Sequence, residues 1–202
     1  MLKRMIQKLL SFVIYPELDE RKKIAIQIAC LDGLASMFVI LFYFLYSIFF
    51  KIYPLVYFHL AGLLLSCLGL YLLKYRYYDL GRILLHLVGL SEIFMTVDGM
   101  GINSGYEYYY FITIAVPFLS FTTKEMRKSI VLSSLACLVF VSQQILGPGL
   151  FVTVVTPPSG DRLISMTVVL FYVLSLLLIF RWLMNKAQRK NKFLQKGAFL
   201  FV

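Results

Sequence analysis

Cysteine is scarce in this chain of 202 residues. Its three cysteines, Cys30, Cys67 and Cys137, all lie inside apolar runs, and no two of them form a CxxC motif. A redox-active thiol pair or a cysteine metal site needs closely spaced thiols. We therefore expect neither a disulfide nor a metal site, and we interpret the three cysteines as small buried packing residues.

Catalytic motifs are missing as well. The sequence has no GxSxG, HExxH or P-loop pattern, so the nucleophile, zinc and phosphate chemistry that these motifs support has no recognisable residues here. The only two histidines, His59 and His86, lie in different apolar runs, which argues against a shared metal ion but leaves haem open. The sequence thus predicts a binding or sensing protein without a cofactor, and not an enzyme.

Apolar residues, by contrast, are abundant. They make up 60% of the chain, and the mean hydropathy is +0.82, whereas soluble domains are roughly 45 to 50% apolar. A helix needs about 20 apolar residues to cross a bilayer. Nothing shows the alternation of a barrel strand. We predict an all-α integral membrane bundle of six transmembrane helices, over residues 24–50, 53–73, 80–98, 107–123, 129–147 and 163–185.

Charge sets the expected orientation. The chain has only ten acidic residues and a net charge of +10, which in a soluble protein would suggest a nucleic-acid partner. Residues 1–23, 74–82, 124–128 and 181–196 hold 18 of the 20 Lys and Arg. These clusters fall on alternate sides of the six runs, so the positive-inside rule predicts both termini in the cytoplasm. We expect no nucleic-acid partner.

The two ends of the chain are expected to flank the transmembrane domain, residues 17–185. Residues 1–16 have apolar and basic residues on opposite helical faces, which predicts an amphipathic helix on the inner leaflet, in contact with lipid. Pro16 ends this pattern, and no cleavage site of a signal peptide follows. Residues 186–202 are expected to continue the sixth helix into the cytoplasm to about Lys196. A basic tail that only anchors the protein is the alternative.

Ionisable residues within membrane helices are costly and usually functional. In the inner half we predict a structural polar cluster in which Arg82 or His86 offsets Asp32, with a functional relay as the alternative. In the outer half, polar residues predict a pocket that opens outward, with unconnected groups facing water as the alternative. The candidate ligand-binding residues are His59, Glu92, Asp98, Asn103, Glu107, Tyr108, Gln143 and Gln144.

The stretch "GINSGYEYYY", residues 101–110, joins the third and fourth runs. Gly101 and Gly105 permit positive φ angles, and Asn103 can hydrogen-bond nearby backbone, so a turn is expected. Glu107 then suits the positive end of the fourth helix. Tyr108 to Tyr110 are typical of an aromatic belt at the membrane interface.

The same stretch resembles a pattern in the six-helix membrane domains of bacterial class III adenylate cyclases, and related domains precede some sensor histidine kinases. The pattern is glycine, a small polar pair, glycine, Gln or Glu, and three aromatic residues. Gly101, Asn103, Gly105, Glu107 and Tyr108 to Tyr110 match it. The resemblance implies a homodimer whose membrane domain regulates a cytoplasmic catalytic domain. The catalytic motifs of that family are not found in these 202 residues.

We therefore expect a receptor or sensor domain of the bacterial inner membrane. It would bind a small lipophilic ligand in its outer half and signal through the sixth helix to a cyclase or kinase output. A substrate-binding subunit of a vitamin importer is the first alternative, because six helices in about 200 residues also resemble that family. The resemblance implies that small residues of the first helix dock a partner, and Ala25 and Ala29 have a four-residue spacing that would serve. An intramembrane lipid enzyme using Glu92 or His59 is the second.

Overall fold

The computed structural model describes residues 18–101 and 105–150, together with Thr167, Leu170, Val173 and Leu174. Those four positions of the sixth apolar run are helical. The predicted amphipathic helix at residues 1–16, the rest of the sixth run and the cytoplasmic extension at residues 186–202 lie outside the described residues.

The described part of the chain is helical and contains no strand, which confirms the all-α prediction for these residues. Short 3₁₀ helices, Tyr106–Tyr108 and Thr123–Glu125, precede the fourth and fifth α-helices. The five α-helices are α1 (Glu20–Phe49), α2 (Tyr53–Lys74), α3 (Tyr78–Met100), α4 (Tyr109–Ser120) and α5 (Met126–Leu146).

Four helical stretches in the described ranges are long and apolar enough to cross a membrane. They are α1, α2, α3 and the stretch Thr123–Leu146, which contains α5. Helix α4 differs from the predicted span of residues 107–123, because its 12 residues extend only from Tyr109 to Ser120. At 1.5 Å per residue it is about 18 Å long. The chain before α4 is used for a turn and a 3₁₀ helix, and Phe121 ends α4 in an extended conformation.

Helix α3 is the centre of the bundle and contacts each of the other four helices. Tight turns at Phe50–Ile52 and Tyr75–Tyr77 connect α1 to α2 and α2 to α3. We call the end of the bundle with residues 74–82 and 122–128 the basic end. The opposite end, with Lys51, Gly101 and Gly105, is called the turn end.

Helices α2 and α3 approach each other closely because α2 presents small residues to α3. The buried positions of α2 alternate four and three residues apart, the spacing of a coiled-coil seam: Leu55, His59, Gly62, Ser66, Gly69 and Leu73. A Cβ atom added at Gly69 would lie 2.7 Å from Cγ of Leu85. Small residues allow such close backbone approach between membrane helices.

Helices α4 and α5 are joined by serine hydroxyls. Ser129 Oγ donates to the carbonyl of Pro117 at 3.0 Å, and Ser133 Oγ donates to the carbonyl of Ile114 at 2.7 Å. Hydrogen bonds of this kind hold helices together where no water competes.

The cysteines differ from the prediction. Cys30 is buried, but Cys67 and Cys137 are exposed on the outer surfaces of α2 and α5. Apolar neighbours in the sequence do not distinguish a helix face turned to the bundle from one turned to lipid. For this reason all three cysteines were predicted to be buried.

Candidate functional site

Two buried ionisable side chains form a hydrogen-bonded pair between α2 and α3. Nδ1 of His59 is 2.6 Å from Oε2 of Glu92, and both side chains are at most 6% exposed. Gly62, one turn along α2 from His59, makes this arrangement possible. A Cβ atom at Gly62 would lie 1.7 Å from Oε1 of Glu92, so only glycine leaves space for the carboxylate.

Each member of this pair keeps one polar atom without a partner in the described structure. These atoms are Nε2 of His59 and Oε1 of Glu92. Buried polar atoms nearly always have a hydrogen-bond partner, because an unsatisfied one costs about 1 to 3 kcal/mol. The two unpartnered atoms make the His59–Glu92 pair a candidate functional site.

Two adjoining cavities reach this pair. One, of about 70 Å³, lies among α1, α3 and α4, and its polar lining comes from Asp32, Ser36, His86, Glu92, Tyr109 and Thr113. The other, of about 40 Å³, is lined by Tyr43, His59, Glu92, Thr96, Tyr106 and Tyr109 among others. Glu92 therefore lines both cavities.

The partners of Arg82 differ from those predicted for the inner cluster. The carboxylates that Arg82 binds are Glu125, at 2.7 Å, and Asp79, at 2.5 Å, and its guanidinium lies 4.3 Å from the centre of the Phe121 ring. Lys128 pairs with Asp79. The charge of Arg82 is thus matched at the basic end, whereas Asp32 and His86 line the 70 Å³ cavity.

Asp79, Glu125 and Lys128 were not among the residues predicted for this cluster. Two local signals were available. Asp79 precedes Arg82 by three residues, a spacing that places both on one helix face. Thr122 and Glu125 form a capping box at the start of the helical stretch, which fixes the Glu125 carboxylate at this end of the bundle.

At the turn end, Asp98 and Gln143 make specific buried contacts. The Asp98 carboxylate accepts a hydrogen bond from the N–H of Leu150 at 2.7 Å, so it holds the chain that follows α5. Gln143 accepts one from the hydroxyl of Tyr110 at 2.5 Å and donates one to the carbonyl of Phe94 at 2.9 Å. Gln143 therefore connects α3, α4 and α5.

The remaining predicted ligand residues do not converge with these. Gln144 is exposed, Tyr108 is half-buried, and Asn103 lies outside the described residues. Glu107 accepts the N–H of Gly105 at 2.9 Å and closes the turn locally. The seven described residues of the predicted set therefore lie in separate places, and the buried polar contacts among them are those of His59 with Glu92, of Gln143 with Tyr110 and Phe94, and of Asp98 with Leu150.

The tyrosines of the turn do not form the expected interfacial belt. Tyr106, Tyr109 and Tyr110 are buried in the main hydrophobic cluster. The hydroxyls of Tyr43 and Tyr109 are 3.3 Å apart, and the rings of Tyr43 and Tyr106 meet edge to face. Tyr106 and Tyr109 thus pack against α1 instead of facing lipid headgroups.

A large apolar groove runs along α3 and α5, with a contribution from α2. Its volume is about 700 Å³. The polar side chains in its lining are Ser91, Ser142 and Gln143, and the rest of the lining is Leu65, Leu84, Leu87, Val88, Leu90, Phe94, Leu138, Val139, Leu146 and Leu150.

The alanine pair of the vitamin-importer alternative can also be placed. Ala25 and Ala29 are only 3% and 4% exposed, so this pair is covered by the bundle and is not presented to a partner helix. Among residues 18–101 and 105–150, no group of three or more His, Cys, Asp or Glu side chains is positioned to hold a metal ion.

Comparisons with known proteins add no family. Scans of protein-family models, of curated proteins and of solved structures each gave no match to this chain.

Proposed function

We propose that the chain is a membrane receptor or sensor domain that binds a small lipophilic ligand in the groove between α3 and α5. It has six transmembrane helices in the bacterial inner membrane, with both termini in the cytoplasm. The ligand signal passes along the sixth helix to a cytoplasmic cyclase or kinase output. The observation that carries the proposal is the groove itself.

The groove has the size and chemistry of a lipophilic ligand site. Small-molecule sites usually measure about 300 to 1,000 Å³ and combine apolar walls with a few polar groups, and this groove has a volume of about 700 Å³. Ser91, Ser142 and Gln143 are the polar groups that would orient a ligand with a carbonyl or hydroxyl. The two cavities beside Glu92, at about 70 and 40 Å³, are too small for such a molecule.

Gln143 supplies a physical connection from the groove to the rest of the bundle. Its amide is already shared between Tyr110 of α4 and the carbonyl of Phe94 in α3. A ligand that takes one of these hydrogen bonds favours a different arrangement of the three helices. Signalling requires such a difference in affinity between two states.

The distribution of charge supports the proposed orientation. The basic end carries Lys74, Arg76, Arg82, Lys124, Arg127 and Lys128, whereas Lys51 is at the turn end. By the positive-inside rule the basic end is cytoplasmic. The groove residue Gln143 and the turn then belong to the outer half of the membrane domain.

The resemblance of residues 101–110 to cyclase and kinase membrane domains supports the output and the homodimer. Gly101 and Gly105 have φ angles of 87° and 89°, a conformation that glycine adopts without strain. The two glycines of the pattern thus have a structural reason to be at these positions.

Native mass spectrometry in mild detergent tests the proposal. We expect a dimer that carries a lipophilic small molecule. Ser142→Leu, inside the groove, should weaken its retention about tenfold by filling space. Ser134→Leu is the matched control, because Ser134 is an exposed α5 serine outside the groove. A ligand retained equally by both variants, or a monomer with a polar vitamin-like compound, would contradict the receptor proposal.

A further inference from the structure

We propose that the His59–Glu92 pair is a buried proton-binding site, which exchanges protons with the surroundings through the cavity lined by Asp32 and His86. This site is separate from the apolar groove. The inference therefore goes beyond the receptor function and does not depend on it.

The geometry of the pair requires a proton. Nδ1 of His59 and Oε2 of Glu92 are 2.6 Å apart, a distance at which one of the two atoms donates a hydrogen to the other. With only that proton, the imidazole is neutral, the carboxylate is ionised, and the pair carries one negative charge. A second proton, bound at Nε2 of His59, makes the pair neutral overall.

Nε2 of His59 is free to take that second proton. It is buried and has no hydrogen-bond partner in the described structure. The proton comes from the surrounding water and returns there on release, so one proton is gained and one negative charge is removed. Because a net charge in an apolar interior is costly, the two states differ in how well α2 and α3 tolerate them.

The cavities provide the route. Glu92 lines both of them, and the larger, at about 70 Å³, has space for about two water molecules. Asp32, Ser36, His86 and Thr113 can hydrogen-bond such waters. We expect a proton to move between the α1 side of the bundle and Glu92 along these polar groups and their waters.

The charges around the pair come from few groups. Asp32 and Tyr43 face it from α1, His86 from its own helix α3, and Tyr109 from α4, with Tyr106 from the preceding turn. Among the residues that the structure describes, no Lys or Arg lines either cavity, and α5 contributes no lining residue.

The presence of only two histidines makes the site directly measurable. Protein labelled with ¹⁵N-histidine and carrying His86→Gln gives NMR signals from His59 alone. In spectra recorded from about pH 5 to pH 8, the range over which histidine side chains can change charge, we expect His59 to show both forms, with one and with two ring protons. Should His86→Gln not fold, the two-histidine spectrum can be assigned with His59→Gln.

Glu92→Gln removes the charged partner and is expected to abolish the form of His59 with two ring protons at neutral pH. Glu20→Gln is the matched control, since Glu20 lies at the start of α1 and pairs with Lys23. A His59 signal that stays in one form over the whole pH range would overturn the proton-binding site.

Gly89→Leu tests the route. A Cβ atom at Gly89 meets nothing within 4 Å, and Gly89 lines the larger cavity, so the leucine occupies the space for water. Hydrogen–deuterium exchange of the His59 ring should slow about tenfold. Ser134→Leu, on the exposed face of α5, should leave it unchanged. Equal exchange rates in both variants would contradict this route.

Discussion

At the scale of single residues, Gly62 and Glu92 are a matched pair. The carboxylate of Glu92 occupies the space that any other side chain at position 62 would need. The carboxylate is tolerated within an apolar helix interface because His59, on the same face of α2 as Gly62, pairs with it. One glycine thus determines whether this interface can hold a charged group.

Gly62→Ala is therefore expected to destabilise the protein. The new Cβ atom would lie 1.7 Å from Oε1 of Glu92, which forces the carboxylate away from His59. Overpacking of this kind costs about 1 to 3 kcal/mol, measurable as a lower thermal unfolding temperature in detergent. Gly89→Ala, where the Cβ meets nothing within 4 Å, serves as the control. Unchanged unfolding of Gly62→Ala would show that the interface is looser than described.

The sequence could indicate His59 and Glu92 as candidates but not their contact. Each is an ionisable residue within an apolar run, which is a local property. Their contact depends on the register between α2 and α3, which the small residues Gly62, Ser66 and Gly69 set through close packing. No pattern within either run alone contains that register.

At the scale of helices, α4 shows the limit of counting apolar residues. Residues 107–123 are apolar enough for a span, yet the helix covers only Tyr109–Ser120. Mean hydropathy carries no information about the 3₁₀ helix that precedes α4, or about the missing N–H group of Pro117. The long helices α1, α2 and α3 were predicted well, because a chain in lipid must satisfy its backbone within the helix.

Ser133→Ala tests how α4 is held against α5. It removes the 2.7 Å hydrogen bond to the carbonyl of Ile114, and bonds of this kind are worth about 0.6 kcal/mol on average in membrane proteins. We expect a small decrease in unfolding temperature, larger in combination with Ser129→Ala. Ser134→Ala, at an exposed position of the same helix, should have no effect. Equal effects at positions 133 and 134 would exclude a specific role for the bond.

At the scale of the whole molecule, charge and packing divide the bundle in the same direction. The basic end contains the Arg82 network, and the turn end contains Asp98, Gln143 and the buried tyrosines. The sequence could predict this division from the Lys and Arg clusters. It could not predict that the tyrosines of the turn pack inward, because burial depends on neighbouring helices and not on local composition.

The proposed orientation can be tested with single cysteines introduced after Cys30, Cys67 and Cys137 are replaced by alanine. We expect a membrane-impermeant maleimide to label Lys51→Cys in cells with a permeable outer membrane. Lys124→Cys should react only after the inner membrane is opened, since the positive-inside rule places that end in the cytoplasm. Lys51 and Lys124 are both exposed, which makes them comparable sites. The reverse pattern of labelling would invert the topology.

The shortness of α4 also has a consequence for the lipid around the protein. Its 12 residues reach about 18 Å, against a hydrocarbon core of about 30 Å, while α1 has 30 residues. We therefore expect the hydrophobic mismatch to be uneven around the bundle, with acyl chains compressed on the side of α4. In lipids of increasing chain length, strain from this mismatch falls first on α4 and the turn that precedes it.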